Sequence, residues 1–322
     1  MSRPSPASAL VALALLAGAC TRLPTGPAAA RPGGVRGITL AAWSRDGYAS
    51  PAADSAIAGL AATGANTMVL IVTAYQAGTD DTLRAGDPRT PSPAALAHAI
   101  AVARARGLRV VLKPHVDLDD GRWRGLIAPT DPARWFVSYR AFLLPLAVLA
   151  ESTGCAGFVV GTELAGTVAS EAEWRATLRA VRAAFPGTVT YAASWDETTR
   201  IPFWDALDAV GVDAYFPVAV RPDAGRLDDL AGWQPWLERL RELHARAGRP
   251  LLLTEIGYRS LAGAGERPYD GTATGRPDAA EQASLYWAAL QAVAREGWIE
   301  GVCWWDWPAD GSGAPGGTDY TP

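Results

Sequence analysis

The stretch "RPLLLTEIGYRS", Arg249 to Ser260, decides the fold. Five residues suited to a fully buried strand, Pro250 to Thr254, run straight into a carboxylate at Glu255. An ionised Glu inside a core costs several kcal/mol unless it is paired or hydrogen-bonded. The conflict resolves if the strand stops at Thr254 and Glu255 emerges half out of the core, on a rim where polar groups gather. A parallel barrel has such a rim, because the loops that follow its strands form a common mouth.

Working outward, the same kind of apolar run recurs. The runs are "GITLAAW" (37–43), "TMVLIVT" (67–73), "LRVVLK" (108–113), "GFVVG" (157–161), "VTYAA" (189–193), "AVGVDAY" (209–215), "PLLLT" (250–254) and "GVCWW" (301–305). Each is short and apolar on both faces, as buried parallel strands are. Helical patterns lie between them. Ser50-Pro51, Ser92-Pro93 and Asp131-Pro132 read as N-cap followed by first-turn Pro, and Pro145 is expected to bend the third helix. Ser170 and Glu173 read as a capping box. Later helices are expected over about residues 228–247 and 278–296, with a short one near 200–207. Eight alternating units predict a (β/α)8 TIM barrel over residues 37–322. No G-x-G-x-x-G follows the first strand, which argues against a dinucleotide-binding sheet. After the eighth strand, "PADGSGAPGGTDYTP" offers no helix, so the closing C-terminal helix of the barrel is missing from the pattern, and truncation is the favoured reading.

Ahead of the barrel, residues 1–20 read as a lipoprotein-type signal peptide. Arg3 is the basic n-region, Ala9 to Leu16 an apolar segment too short to span a bilayer, and small residues precede Cys20. Cys20 is then the lipidated terminus and the only link to a membrane, at a bacterial cell envelope. Ala17 at the −3 position, where Leu is commoner, keeps plain secretion or a periplasmic location open. Residues 21–36, rich in Pro, Gly and Ala, read as a tether. A net charge of −4 argues against a nucleic-acid partner, which needs clustered basic charge. Thirteen Trp residues suit stacking on sugar rings as well as core packing. Cys155 and Cys303 are expected as buried free thiols, and the protein as a monomer.

The residues just past each strand gather at the mouth. They are Trp43, Tyr75 and Gln76, then Lys113, His115 and Asp117, then Glu163, Trp195, Asp196, Asp213, Tyr215, Glu255, Trp305 and Asp306. Glu163 in "VVGTELAG" and Glu255 in "LLLTEIGY" hold matching places on strands four and seven, 92 positions apart in the chain. Two carboxylates flanking a glycosidic bond are what glycoside hydrolysis needs, one as proton donor and one as nucleophile or base. Their mutual repulsion raises one pKa and keeps that group protonated near neutrality. The plainer reading makes each Glu a rim charge paired with an Arg.

Together "GITLAAW", "GANTMVLIVTAYQ", "LKPHVD", "VVGTEL", "VDAYFPV", "LLTEIGYRS" and "WWDW" resemble glycoside hydrolase family 113, within the clan A retaining enzymes. The resemblance spans about residues 37–307. It implies a retaining endo-β-1,4-mannanase or related β-glycanase with Glu163 as acid/base and Glu255 as nucleophile. It further implies Tyr215 as hydrogen-bond donor to the nucleophile, and Trp43, His115, Trp195 and Trp305 around the attacked sugar. Thr162 stands where many clan members place an Asn that contacts the sugar 2-hydroxyl, so that contact is unassigned.

Other residues are weighed separately. His115 and Asp117 have a spacing that suits a metal, but His98 and His244 fall on helices away from the rim, so no metal and no organic cofactor are expected. Of the adjacent Trp304 and Trp305 only one can face inward, and Trp305 is the choice. Trp233, Trp236 and Trp287 sit on helical stripes as core. Lys113, the chain's only Lys, either points into the mouth or pairs with a buried carboxylate. The long loop of residues 261–278 either lines the cleft or is plain surface. The alternatives to a mannanase are a catalytically inactive glycan-binding lipoprotein, a related xylanase or glucanase, and a metal-dependent barrel hydrolase.

Overall fold

The computed structural model describes residues 34–219, 221, 224–313 and 317–321, so the signal and most of the tether lie outside it. Eight parallel strands close into a barrel in chain order, with the first hydrogen-bonded to the last. They are β1 (Val35–Ala41), β2 (Thr67–Gln76), β3 (Arg109–Leu118), β4 (Gly157–Thr162), β5 (Thr188–Ser194), β6 (Ala209–Asp213), β7 (Leu251–Ile256) and β8 (Ile299–Pro308). Val35 and Arg36, read from composition as the end of the tether, belong to β1. Val35 pairs with Gly301, and the Arg36 amide donates to Asn66 Oδ1.

Seven α-helices cover the barrel among the described residues: α1 (Pro51–Ala62), α2 (Pro93–Ala105), α3 (Pro132–Ser152), α4 (Glu171–Ala184), α5 (Arg226–Gly232), α6 (Gln234–Ala247) and α7 (Ala279–Ala294). Ser50, Ser92 and Asp131 cap α1, α2 and α3 through their side chains, and Asp278 does so for α7. Each accepts a backbone N–H that the first helical turn leaves unpaired. Pro145 lies inside α3, which continues to Ser152.

Three local expectations fail for identifiable reasons. Ser170 makes no capping bond, because Glu173 turns to Arg140 of α3 at 2.8 Å instead of closing the box. The helix expected over 228–247 is broken at Trp233. Gly232 presses so closely on the backbone that a Cβ there would stand 1.8 Å from the Val218 carbonyl oxygen. Pro235 has no N–H to continue the ladder. Between β5 and β6 two 3₁₀ turns, Thr198–Arg200 and Trp204–Ala206, replace the short helix.

Among the described residues no helix follows β8. Trp304 packs on Tyr286 of α7, with ring centroids 4.2 Å apart, and Trp307 lies against Gly59 of α1. Two indoles thus occupy the seam between first and seventh helices. Residues 317–321 run back over the loop after β7, where Asp319 accepts from the Ser260 amide and Tyr320 from the Tyr286 hydroxyl.

The large apolar core lies between barrel and helices, and Trp135, Phe136, Tyr139, Trp174 and Trp233 are fully buried in it. Inside the barrel Ala41, Val69, Ile71 and Cys303 form a smaller apolar cluster. Ile71 stands in register with Lys113, so this cluster borders the site. Cys155 and Cys303 are both free, Cys303 buried and Cys155 partly so.

Candidate active site

The C-terminal mouth holds a cleft of about 860 Å³. Its lining includes Glu163, Glu255, His115, Tyr215, Trp195 and Trp305, brought together from β3 to β8. Trp43, half exposed after β1, is not among the lining residues. Trp305 stacks on His115 with ring planes 14° apart, while Trp304 faces outward, as the alternation of the strand requires. Trp195 meets Trp236 edge-on and Tyr269 at 6.0 Å, which ties the loop of residues 261–278 to the cleft wall. Trp233 is fully buried, as read; Trp236 and Trp287 are only partly so.

Glu255 does not stand past the strand. It lies within β7 and is 5% exposed. The burial is tolerated because Lys113, itself fully buried, reaches across the barrel from β3 and donates to Glu255 Oε1 at 2.6 Å. The same ammonium donates to Asp213 Oδ1 at 2.9 Å, and the Thr254 hydroxyl adds a 2.7 Å bond to that oxygen. Tyr215 donates its hydroxyl to Glu255 Oε2 at 2.8 Å. Burial alone would raise the Glu255 pKa, but the Lys113 charge and the surrounding donors hold it well below the usual carboxylate range. Asp213, desolvated and beside the Glu255 charge, is pushed up to about 8. The single ammonium is thus shared by two carboxylates, and of the two it is Glu255 whose ionised form the site favours. Of the two readings of Lys113, the ion pair is what the structure contains.

Glu163 is held differently. It follows β4 in a left-handed backbone conformation, φ 53°, at a cost of about 1–2 kcal/mol for a side-chain-bearing residue. Two bonds fix this turn: the Glu163 amide donates to the Ala192 carbonyl, and the Leu164 amide to the Tyr191 hydroxyl, both at 2.8 Å. Tyr191 in turn donates to buried Glu197. Among the described residues the side chain of Glu163 receives one hydrogen bond, 3.2 Å from the Trp123 indole N–H. Burial, reinforced by the Glu255 charge and only partly offset by Arg124, raises its pKa to about 7.

Trp123 and Arg124 come from the β3–α3 loop, and sequence reasoning missed both. Gly125 lets the loop fold back, since a Cβ there would fall within 2.5 Å of the Trp123 ring. Arg124 donates to Asp117 Oδ1 at 2.7 Å and contacts His115 Nδ1 at 2.8 Å. The Gly-x-Trp-x-Gly spacing within "DDGRWRGL" (119–126) was the available signal. Tyr320, beyond the last strand, also lines the cleft and packs on Tyr215. Thr162 donates its hydroxyl to the Pro114 carbonyl and is 1% exposed, so it offers the cleft nothing. His98 pairs with Asp54, and His244 bonds the Arg249 carbonyl; both sit on helices. Among the described residues no three His, Cys, Asp or Glu side chains converge as metal ligands.

A mouth with one carboxylate kept ionised and another whose pKa is raised to about 7 suits chemistry in which one group attacks and the other donates a proton. Similarity to known proteins gives the family. The family model for Glycoside Hydrolase Family 113 matches residues 39–318. The GH113 β-mannanase AaManA from Alicyclobacillus acidocaldarius, solved in complex with ManMIm, is 30% identical, with 90% of this chain and 93% of that one covered and a TM-score of 0.82. A GH113 β-1,4-mannanase solved as a complex is 25% identical over 89% of this chain and 94% of its own, with a TM-score of 0.83. The hyperthermostable endo-1,4-β-D-mannanase from Thermotoga petrophila RKU-1, at 12% identity over 85% of this chain and 88% of that one, with a TM-score of 0.57, shares the fold alone. No curated protein matches the chain at the sequence level. With the family model covering nearly all of the barrel, the chain belongs to glycoside hydrolase family 113 and is a glycoside hydrolase.

Proposed function

We propose that the protein is a retaining endo-β-1,4-mannanase, with Glu255 as nucleophile and Glu163 as acid/base. The observation that carries this reading is the contrast between two carboxylates in one cleft: Glu255 accepts from the Lys113 ammonium and the Tyr215 hydroxyl, whereas Glu163 has one indole donor and a pKa raised to about 7. A Glu255 oxygen forms a bond to the anomeric carbon as the bond to the leaving oxygen breaks, and the Glu163 proton moves to that oxygen. Glu163, now a carboxylate, takes a proton from water, whose oxygen displaces Glu255 and restores the starting configuration. The mannan preference rests on the two solved β-mannanases of the same family. Trp195 and Trp305 would supply apolar faces to the sugar rings of the cleft.

Incubation with mannohexaose, followed by proton NMR of the first products, tests both parts. Shorter mannooligosaccharides with the β-anomer formed first are expected. Binding without cleavage, or the α-anomer first, overturns the reading. We further propose export with lipidation at Cys20, from the signal in residues 1–20. Mass spectrometry of the mature N-terminus should find a diacylglyceryl-modified Cys20; an unmodified terminus would leave a secreted protein.

A further inference from the structure

The loop residue Arg124 stands between Asp117 and His115. Both are inward-facing residues of β3, two positions apart, so their side chains lie on one side of the strand. Arg124 is largely buried, and His115 is 3% exposed. A guanidinium has only donors. The 2.8 Å contact between Arg124 Nη1 and His115 Nδ1 therefore requires Nδ1 to present its lone pair, and the ring proton of neutral His115 must sit on Nε2. That Nε2 has no well-aligned hydrogen-bond partner among the described residues and lies 3.5 Å from Glu255 Oε1, at the floor of the cleft.

Resting on the assignment of Glu255 above, we propose that Arg124 is a positioning residue that fixes His115 as a neutral Nε2–H donor aimed at Glu255 and the sugar bound over it. Asp117 holds the guanidinium in place from its other edge. The charges around the ring pull both ways, and burial and the cations outweigh the one carboxylate that favours a second proton. Arg124 on the β3–α3 loop and Lys113 on β3 oppose a second proton on His115, and Glu255 on β7 favours one. Glu163 on β4 and Asp213 on β6 act on Arg124, while Trp305 on β8 covers the ring face without charge. Burial, with the two cations, brings the His115 pKa down to about 4. The consequence is chemical. An imidazolium beside Glu255 would lock that carboxylate into an ion pair; a neutral N–H orients it and leaves its negative charge free to attack.

The chain has only three His residues, which makes a direct measurement practical. Long-range ¹H–¹⁵N correlation spectra of ¹⁵N-histidine-labelled protein, assigned with His115→Asn, should show His115 as the Nε2–H tautomer at every pH from 8 down to 5. In Arg124→Met the ring loses its donor and its neighbouring charge, so its titration should move up by about 1 pH unit or more. In Arg124→Lys, which keeps a donor and a charge, the Nε2–H tautomer should be restored. On a cleaved substrate, Arg124→Met should lower kcat by roughly 10- to 100-fold, the cost known for losing a partner that orients a metal-ligating His. The acid limb of its kcat/KM profile should rise with the His115 titration. An Nδ1–H tautomer in the wild type overturns the proposal, as does unchanged His115 titration in Arg124→Met. Should that variant fail to fold, the wild-type tautomer and the Arg124→Lys titration decide alone. The tautomer is read without substrate, so a protein inactive on mannan would refute the mannanase reading and leave this one standing.

Discussion

Strand seven holds its carboxylate inside the sheet; strand four carries its own just past its end. Glu255 sits inside β7, bonded to an ammonium and a phenol, and meets the rest of the protein as a fixed negative charge. Glu163 sits just past β4 on a left-handed turn, with one indole N–H for company. The two side chains are chemically the same. Their neighbours divide the work, because donors and a cation stabilise the ionised form while desolvation beside a like charge stabilises the protonated one.

The largest test of this asymmetry is Glu255→Gln, which removes the attacking oxygen; kcat should fall by on the order of 10⁴-fold or more in a reducing-sugar assay. Glu163→Gln should lower kcat/KM by roughly 10²–10⁴-fold with a mannan substrate, and far less with an aryl mannoside whose leaving group needs no proton, although kcat stays low there because the second step still lacks its base. The pH profile sharpens the point. Glu163 must hold its proton to donate it, so wild-type kcat/KM should fall as pH rises through about 7, and Glu163→Gln should lose that alkaline limb. Glu255 is already ionised, so lowering the pH to about 5 should cost nothing through it.

Lys113→Met attacks the strand-seven side through its counter-ion. It leaves Glu255 and Asp213 buried together without a cation, and urea denaturation should show a loss of about 3–5 kcal/mol. Equal stability would mean that Lys113 is no structural partner. The smallest effect in the series is Tyr215→Phe, which deletes one hydrogen bond to a charged group; a rise of about 1.5–3 kcal/mol in the barrier to attack is expected from kcat/KM.

The eight strands were legible because each buried run is short, apolar and bounded by helix caps such as Ser50-Pro51 and Ser92-Pro93, whose chemistry is local. The Glu pair was legible because strand ends share one mouth. What escaped depended on contacts far apart in the chain. The cost of burial argues for a Glu255 half out of the core, past the strand. Its counter-ion Lys113 lies 142 residues away, and neither residue names the other. Arg124 and Trp123 lie in a loop without periodicity, positioned by Gly125 and by contacts to β3 and β4. Ser170 and Glu173 matched a local motif that a long-range pair with Arg140 overrode.

Lys113 has a further consequence. It is the chain's only Lys, and it is fully buried inside the barrel. The folded domain therefore offers acylating reagents no ε-amine at its surface. Dyes, cross-linkers and resins that react with primary amines will find only the chain terminus until the barrel opens. The rate at which position 113 becomes acylated is then a clock for opening of the active site itself, read by mass spectrometry on unmodified protein.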